Sequence, residues 1–281
     1  MKKFLALFIL LVCVLALPAL AHAEGVENAI PAMNTSLQSA ANGKLAAESF
    51  TPEIAAEPFV PEGLERSFPD GHDDRIKVKN PSSYPFSAIA FMQVHARCGC
   101  TWECSGFMVG RRGLITAGHC LVCMDHNRTA DRITFYFGYS SKKKYFTKYD
   151  GSTTYWYGID ATRSYDSTWD YGYVRLDKNI GDKTGWFGVS SKYDSDLNGY
   201  LYRVAGYRDG VLKYDRNRAY VYSDYEVYHY ADTQPGYSGC PIYTDDYYVV
   251  AVNTSESAKR NYGRRFTNSL IDEMRQNGIF N

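Results

Sequence analysis

Apolar positions fall into two kinds of pattern along the chain. Residues 4–20 are an almost continuous apolar run, and no run of that kind recurs. Further on they come in short bursts, at residues 86–94, 114–117, 132–137, 171–176, 200–205, 218–222 and 247–252. Several bursts alternate with a period of two, which puts successive side chains on opposite faces of a strand. Gly, Asp, Asn and Ser separate them at short intervals. Short strands at close spacing predict an all-β fold, an antiparallel sandwich or barrel rather than α/β. One helix is predicted, at the end: Leu270, Ile271 and Met274 fall at helical spacing, residues 267–269 offer an N-cap, and Gly278 can end it. No fixed-period repeat, heptad pattern or low-complexity tract follows residue 66.

The first apolar run reads as an export signal. Lys2 and Lys3 precede it, and Ala21-His22-Ala23 follows as a small-x-small cleavage pattern. The run is short for a membrane span of about 20 residues, and no basic cluster follows it, so cleavage after Ala23 (residues 1–23 removed) is expected. Residues 24–66 contain no Tyr, Trp, Cys or His and carry seven acids against two bases. Such a segment has little to bury and is expected to be a propeptide ending at Arg66; the alternative is an attached linker. All 25 tyrosines lie from Tyr84 onward. The remaining domain, 67–281, carries 27 bases against 24 acids. That balance gives no nucleic-acid or anionic-membrane footprint. The expectation is a secreted, extracellular monomer with no membrane contact after signal removal.

Six cysteines remain after the signal: Cys98, Cys100, Cys104, Cys120, Cys123 and Cys240. An even number in an exported chain argues for disulfides. The alternative is zinc, since Cys98, Cys100, Cys104, Cys120 and Cys123 are spaced closely enough to supply four thiolates. Disulfides are the reading adopted, with no metal and no cofactor expected.

Three local sequences carry chemistry. Leu114-Ile115-Thr116-Ala117-Gly118-His119-Cys120 is an apolar strand ending in small residues that present a histidine. Thr168-Trp169-Asp170-Tyr171-Gly172-Tyr173 sets an acid before an alternating strand. Gln234-Pro235-Gly236-Tyr237-Ser238-Gly239 holds a serine in a glycine turn. A serine hydroxyl becomes a nucleophile when an imidazole accepts its proton, and the imidazole needs a buried carboxylate to fix its tautomer. The developing oxyanion needs backbone donors, which Gly236 and Ser238 would supply. Each motif alone is weak. The order His119, Asp170, Ser238, with gaps of 51 and 68 residues, makes the set specific. His229, nine residues before Ser238, is the rival base.

With Thr116-Ala117-Gly118-His119-Cys120 and Gly236-Tyr237-Ser238-Gly239, the chain resembles the chymotrypsin-like serine peptidases. In finer detail it is similar to the bacterial glutamyl endopeptidase branch, at Asp73-Asp74-Arg75, Tyr84-Pro85, Asp170-Tyr171-Gly172, Trp186-Phe187-Gly188 and Asp232-Thr233. The resemblance runs from about Asp73 to the last helix. It implies two packed antiparallel Greek-key β-barrels with the triad in the cleft between them. The first would cover about 67–178 and the second about 179–266, with the helix at about 267–277. It also implies a Cys104–Cys120 disulfide beside His119, and hydrolysis of protein or peptide substrates through an acyl-enzyme. Two features depart from the pattern. Tyr237 stands where animal trypsins keep the acid that pairs with a new N-terminal amine. Cys240 stands where a small residue is usual, and a bridge from it to Cys98, Cys100 or Cys123 would tie the nucleophile turn to the first barrel.

Substrate choice is divided. Asp232, Thr233 and Asn253 are the expected substrate-binding residues. Thr233 matches the glutamyl branch, which usually has a histidine where Asn253 stands; Asn253 can donate a hydrogen bond to a carboxylate but no charge. Lys259, Arg260, Arg264 or Arg265 would have to supply it. Asp232 stands six residues before Ser238, where trypsins bind Lys or Arg. Cleavage after Glu or Asp is the reading adopted, with cleavage after Lys or Arg as the alternative. An inactive protease-fold binding module and a zinc-stapled interaction domain are the non-enzymatic alternatives.

Overall fold

The computed structural model describes residues 68–140, 144–160, 165–257 and 259–281. The expected signal (1–23) and propeptide (24–66) lie outside them. Among the described residues there are sixteen strands. They run β1 (Ile76–Lys77), β2 (Ile89–Ala96), β3 (Thr101–Met108), β4 (Gly113–Thr116), β5 (Val122–Cys123), β6 (Arg128–Phe137), β7 (Thr147–Tyr149) and β8 (Thr153–Tyr157). They continue as β9 (Gly172–Leu176), β10 (Gly188–Val189), β11 (Leu201–Arg208), β12 (Val211–Val221), β13 (Glu226–His229), β14 (Pro241–Tyr243), β15 (Tyr248–Glu256) and β16 (Asn261–Arg265). Every pairing is antiparallel except that of the two-residue β10 with β15.

The strands form two eight-stranded sheets. The first runs β5-β6-β2-β3-β4-β9-β8, with β7 on β6. The second runs β1-β12-β11-β14-β15-β16-β13, and β13 pairs back onto β12, closing a ring. The architecture is the expected pair of β-barrels with one C-terminal helix. One boundary differs. Strand β1 lies in sequence before the first barrel but pairs with β12 of the second, Ile76 opposite Tyr214. The N-terminal segment therefore crosses to the far barrel, toward the Ser238 turn.

The barrels are joined by buried polar groups as well as by apolar packing. Ser105 on β3 is fully buried. Its N–H donates to the Ser238 carbonyl (2.9 Å), its hydroxyl donates to the Gly236 carbonyl (2.9 Å), and the same oxygen accepts from Tyr207 N on β11 (2.8 Å). Leaving such groups without partners costs about 1–3 kcal/mol each, so the two barrels and the serine turn are fixed together. Phe91 of β2 lies against Tyr207, ring centroids 5.6 Å apart.

The helix Asn268–Gln276 begins where predicted: Thr267 accepts a hydrogen bond from Leu270 N at 3.3 Å, and Leu270, Ile271 and Met274 are buried. Its Glu273 accepts from the Tyr173 hydroxyl at 2.7 Å. The helix thereby braces β9, the strand that follows Asp170.

Cys104 and Cys120 are joined as a disulfide. Cys240 does not reach the first barrel. It is fully buried in the second barrel's core, in one cluster with Tyr202, Tyr237 and Ile242. The expected tether from Cys240 to Cys98, Cys100 or Cys123 is absent from this arrangement.

Candidate active site

Strand direction brings the histidine and the acid together. β4 and β9 are antiparallel, with Thr116 opposite Gly172. The end of β4 therefore lies beside the start of β9, and His119 just past one meets Asp170 just before the other. Asp170 is fully buried. One oxygen accepts from His119 N at 2.9 Å; the other accepts from His119 Nδ1 and from the Tyr165 hydroxyl, each at 2.7 Å. Burial pushes the Asp170 carboxyl up, but the attraction of His119 and these hydrogen bonds outweigh it and hold the carboxyl below its ordinary value. The Asp170 contact to Nδ1 leaves Nε2 as the nitrogen open to a substrate-side partner.

Ser238 sits on the turn before β14. Gly239, φ +84°, has no room for a side chain: a Cβ there would stand 2.1 Å from Thr116 Oγ1 and 3.0 Å from Ala117 N. The serine turn is thus pressed against the strand end that carries His119. Gly236 has φ +100°, and a Cβ there would meet the Tyr207 carbonyl at 2.8 Å. The Pro235 carbonyl accepts from Arg208 (3.2 Å), and the Tyr237 carbonyl accepts from Cys240 N (2.9 Å) and Asn253 Nδ2 (3.3 Å). In a trans peptide N–H and C=O point oppositely. The N–H groups of Gly236 and Ser238 are therefore turned away from those partners.

Beneath the turn lies a buried cation that sequence reasoning missed. The Arg75 guanidinium lies over the Tyr237 ring (5.2 Å), donates to Gln234 Oε1 (2.7 Å) and forks onto Asp73 (2.7 and 2.9 Å). Tyr237 is fully buried and donates to the Lys213 carbonyl at 3.2 Å. The N-terminal segment is thus docked under the nucleophile turn by an arginine and a tyrosine ring, without an acid at position 237.

The three expected substrate-binding residues are all buried, and two of them serve the frame. Asp232 accepts from Asp74 N at 2.7 Å. Burial raises its carboxyl to about 6, helped by Asp215, Asp70 and Asp74 nearby and opposed by that N–H. Asn253 accepts from His229 Nε2 at 3.0 Å and donates to the Tyr237 carbonyl, so its amide supports the turn. Thr233 donates to Glu256 Oε1 at 3.2 Å. Glu256, at the end of β15, had no sequence signal; burial pushes its carboxyl up to about 7, against the hydrogen bond from Thr233 and the pull of Arg75 and Arg208. His229, the rival base, is buried with its Nε2 on Asn253 Oδ1 at 3.0 Å, and burial lowers it to about 4. Three of the four cations considered for charge compensation, all but Lys259, are engaged elsewhere. Arg264 donates to the Thr168 and Tyr225 carbonyls, Arg265 pairs with Asp194, and Arg260 lies over Tyr228.

A family described as Trypsin matches residues 76–269. The chain is 27% identical over 214 residues to the Extracellular metalloprotease of Bacillus subtilis, covering 73% of this chain and 67% of that protein. It is 29% identical over 180 residues to the Glutamyl endopeptidase of Bacillus licheniformis, covering 62% of this chain. It spans only 54% of that protein's length. Among solved structures it resembles a Glu endopeptidase in complex with MPD, with TM-score 0.64 and 20% identity over 74% of this chain and 98% of that one. The protease Anisep from Arthrobacter nicotinovorans matches with TM-score 0.56 and 17% identity, covering 68% of this chain and 94% of that one.

Proposed function

The chain belongs to the trypsin family, and from that membership we propose that it is a secreted serine endopeptidase using His119, Asp170 and Ser238. The observation that carries the reading is the fully buried Asp170 carboxylate, 2.7 Å from His119 Nδ1. With Nδ1–H held there, Nε2 takes the Ser238 proton as the hydroxyl attacks the peptide carbonyl. The N–H groups of Gly236 and Ser238 receive the oxyanion. His119 then gives its proton to the leaving amine, an acyl-enzyme remains, and water attacks it by the same route. Export with removal of 1–23, and activation by release of 24–66, complete the proposal. Protein or peptide substrates follow from it, and a monomeric enzyme is part of the proposal. A purified domain that cleaves peptides, and loses that activity with Ser238→Ala, supports the reading; unchanged turnover in the variant rejects it.

The Bacillus subtilis relative's name raises a metal-based chemistry at the same place. Among the described residues, Cys104 and Cys120 complete the ligand group around His119. Both sulfurs are bonded to each other, and His119 Nδ1 faces Asp170. That ligand engagement favours the serine route.

For the residue before the cleaved bond we keep Glu or Asp, supported by Thr233 and by the likeness to glutamyl endopeptidases. While it keeps its proton, Glu256 can offer an O–H to a substrate carboxylate. The second reading, Lys or Arg, is favoured by the same Glu256 once ionised, since it then supplies negative charge beside Thr233. A peptide library profiled at about pH 6 and about pH 8.5 separates them. Cleavage after Glu that declines with rising pH supports the first; cleavage after Lys or Arg that grows with pH supports the second.

A further inference from the structure

Two hairpin tips of the first barrel meet away from the triad. The β2–β3 turn carries Cys98 and Cys100, one residue apart. The β5–β6 hairpin carries Cys123 at the end of β5 and His126 in its turn, two residues between them. The three sulfurs and a ring nitrogen of His126 all lie within 4.8 Å of one another. His126 Nδ1 is 3.3 Å from the Cys100 sulfur and 3.4 Å from that of Cys123. A tetrahedral zinc with Zn–S of about 2.3 Å and Zn–N of about 2.0 Å has S···N edges of about 3.5 Å. The observed separations match that edge.

We propose that Cys98, Cys100, Cys123 and His126 form a structural zinc site that staples the two hairpin tips together. Four protein ligands close the coordination shell, as in structural rather than catalytic zinc sites. On binding, the three thiols each release a proton to solvent and His126 binds as neutral imidazole through Nδ1. Three thiolates on a divalent ion leave one net negative charge. Arg128 stands opposite Cys123 in the β5–β6 ladder, and Arg97, which precedes Cys98, is paired with Asp131 at 2.9 Å.

The ligand set differs from the one suggested by spacing alone. Cys104 and Cys120 are occupied by their disulfide, and His126 takes the fourth place. Disulfide pairing within the cluster accounts for the geometry less well. Any one bond among three cysteines strands the third, and Cys98 with Cys100 would have to close a ring across a single residue. It also gives no reason for His126 to sit between two sulfurs. The site lies on the stretch that leaves the active site: Cys120 is bonded to β3, and Cys123 would be metal-bound three residues on. Disulfide and zinc would then hold the segment after His119 at two successive points.

The test uses the full chain, secreted and purified without metal-affinity chromatography, then desalted into metal-free buffer. Elemental analysis is expected to find about one zinc per chain, in the parent and equally in Ser238→Ala. Cys98→Ser and His126→Ala, at exposed positions, should each drop the zinc below about one tenth of an equivalent after the same chelator wash. Cobalt exchanged for zinc should give the visible bands of a tetrahedral ion with thiolate charge transfer, so the parent alone is decisive if a variant fails to fold. Mass mapping that finds a disulfide among Cys98, Cys100 and Cys123 with no metal would overturn the site. Zinc retained in both variants, or an equivalent of iron or copper in its place, would overturn it as well.

Discussion

At Asp170 a single buried carboxylate takes hydrogen bonds from the His119 backbone, the His119 ring and the Tyr165 hydroxyl. Asp170→Asn keeps the shape but presents an N–H where Nδ1–H needs an acceptor. It should fold normally and lose on the order of 10⁴ in kcat, read by steady-state kinetics beside an unchanged circular-dichroism melt. Tyr165→Phe removes one donor only, so a loss of about tenfold or less is expected, about the worth of one hydrogen bond. Glu256 gives a pH signature. Its carboxyl is raised to about 7 in the folded chain, so between its unfolded value and 7 the folded state holds a proton that the unfolded state has released. Stability from this group is therefore present at acid pH and lost as pH rises through about 7. Glu256→Gln should be the more stable form at about pH 8.5 and lose that advantage at about pH 4, as urea midpoints at the two values would reveal. His119, Asp170 and Ser238 could be proposed from the sequence because three local motifs fall in that order along the chain. Tyr165, Ser105 and Glu256 were not, because a polar residue's importance here depends on what the fold sets opposite it.

Among the elements, the Ser238 turn is the most constrained. Gly239→Ala places a Cβ 2.1 Å from Thr116 Oγ1 at φ +84°, and should abolish soluble expression rather than merely slow the enzyme. Arg75→Met keeps some apolar contact with the Tyr237 ring but loses the cation and its hydrogen bonds to Gln234 and Asp73. The expected result is a folded domain with kcat/KM reduced by at least tenfold, since the turn that presents Gly236 and Ser238 loses its support. An unchanged kcat/KM would mean that the turn holds its shape without Arg75. Strands with apolar alternation, such as β2, β6 and β15, could be read in advance. β3 could not, because Cys104, Ser105 and Gly106 interrupt its alternation. Neither could β16, where Arg264 and Arg265 are buried by pairing with carbonyls and Asp194 rather than by being apolar. The pairing of Ile76–Lys77 with β12 of the second barrel could not be read in advance, because two residues carry no signal of their partner.

The whole molecule makes its candidate site only where the barrels meet: His119 and Asp170 come from the first, Ser238 from the second. Ser105 is the shared tie, so Ser105→Ala should cost about 1–3 kcal/mol in stability and lower kcat as well, a coupling that a purely packing residue would lack. The all-β class was readable from strand spacing, and the barrel pair was what the family resemblance implied; the convergence of two hairpin tips on Cys98, Cys100, Cys123 and His126 was not readable, because His126 carries no motif of its own. The central claim is that Ser238 is a nucleophile activated by His119, and covalent labelling tests it most directly. The purified mature domain, treated with a fluorophosphonate and mapped by tandem mass spectrometry, should carry the label on Ser238 alone, and His119→Ala should lose it. Label on another residue, or equal labelling of Ser238 without His119, would contradict the account.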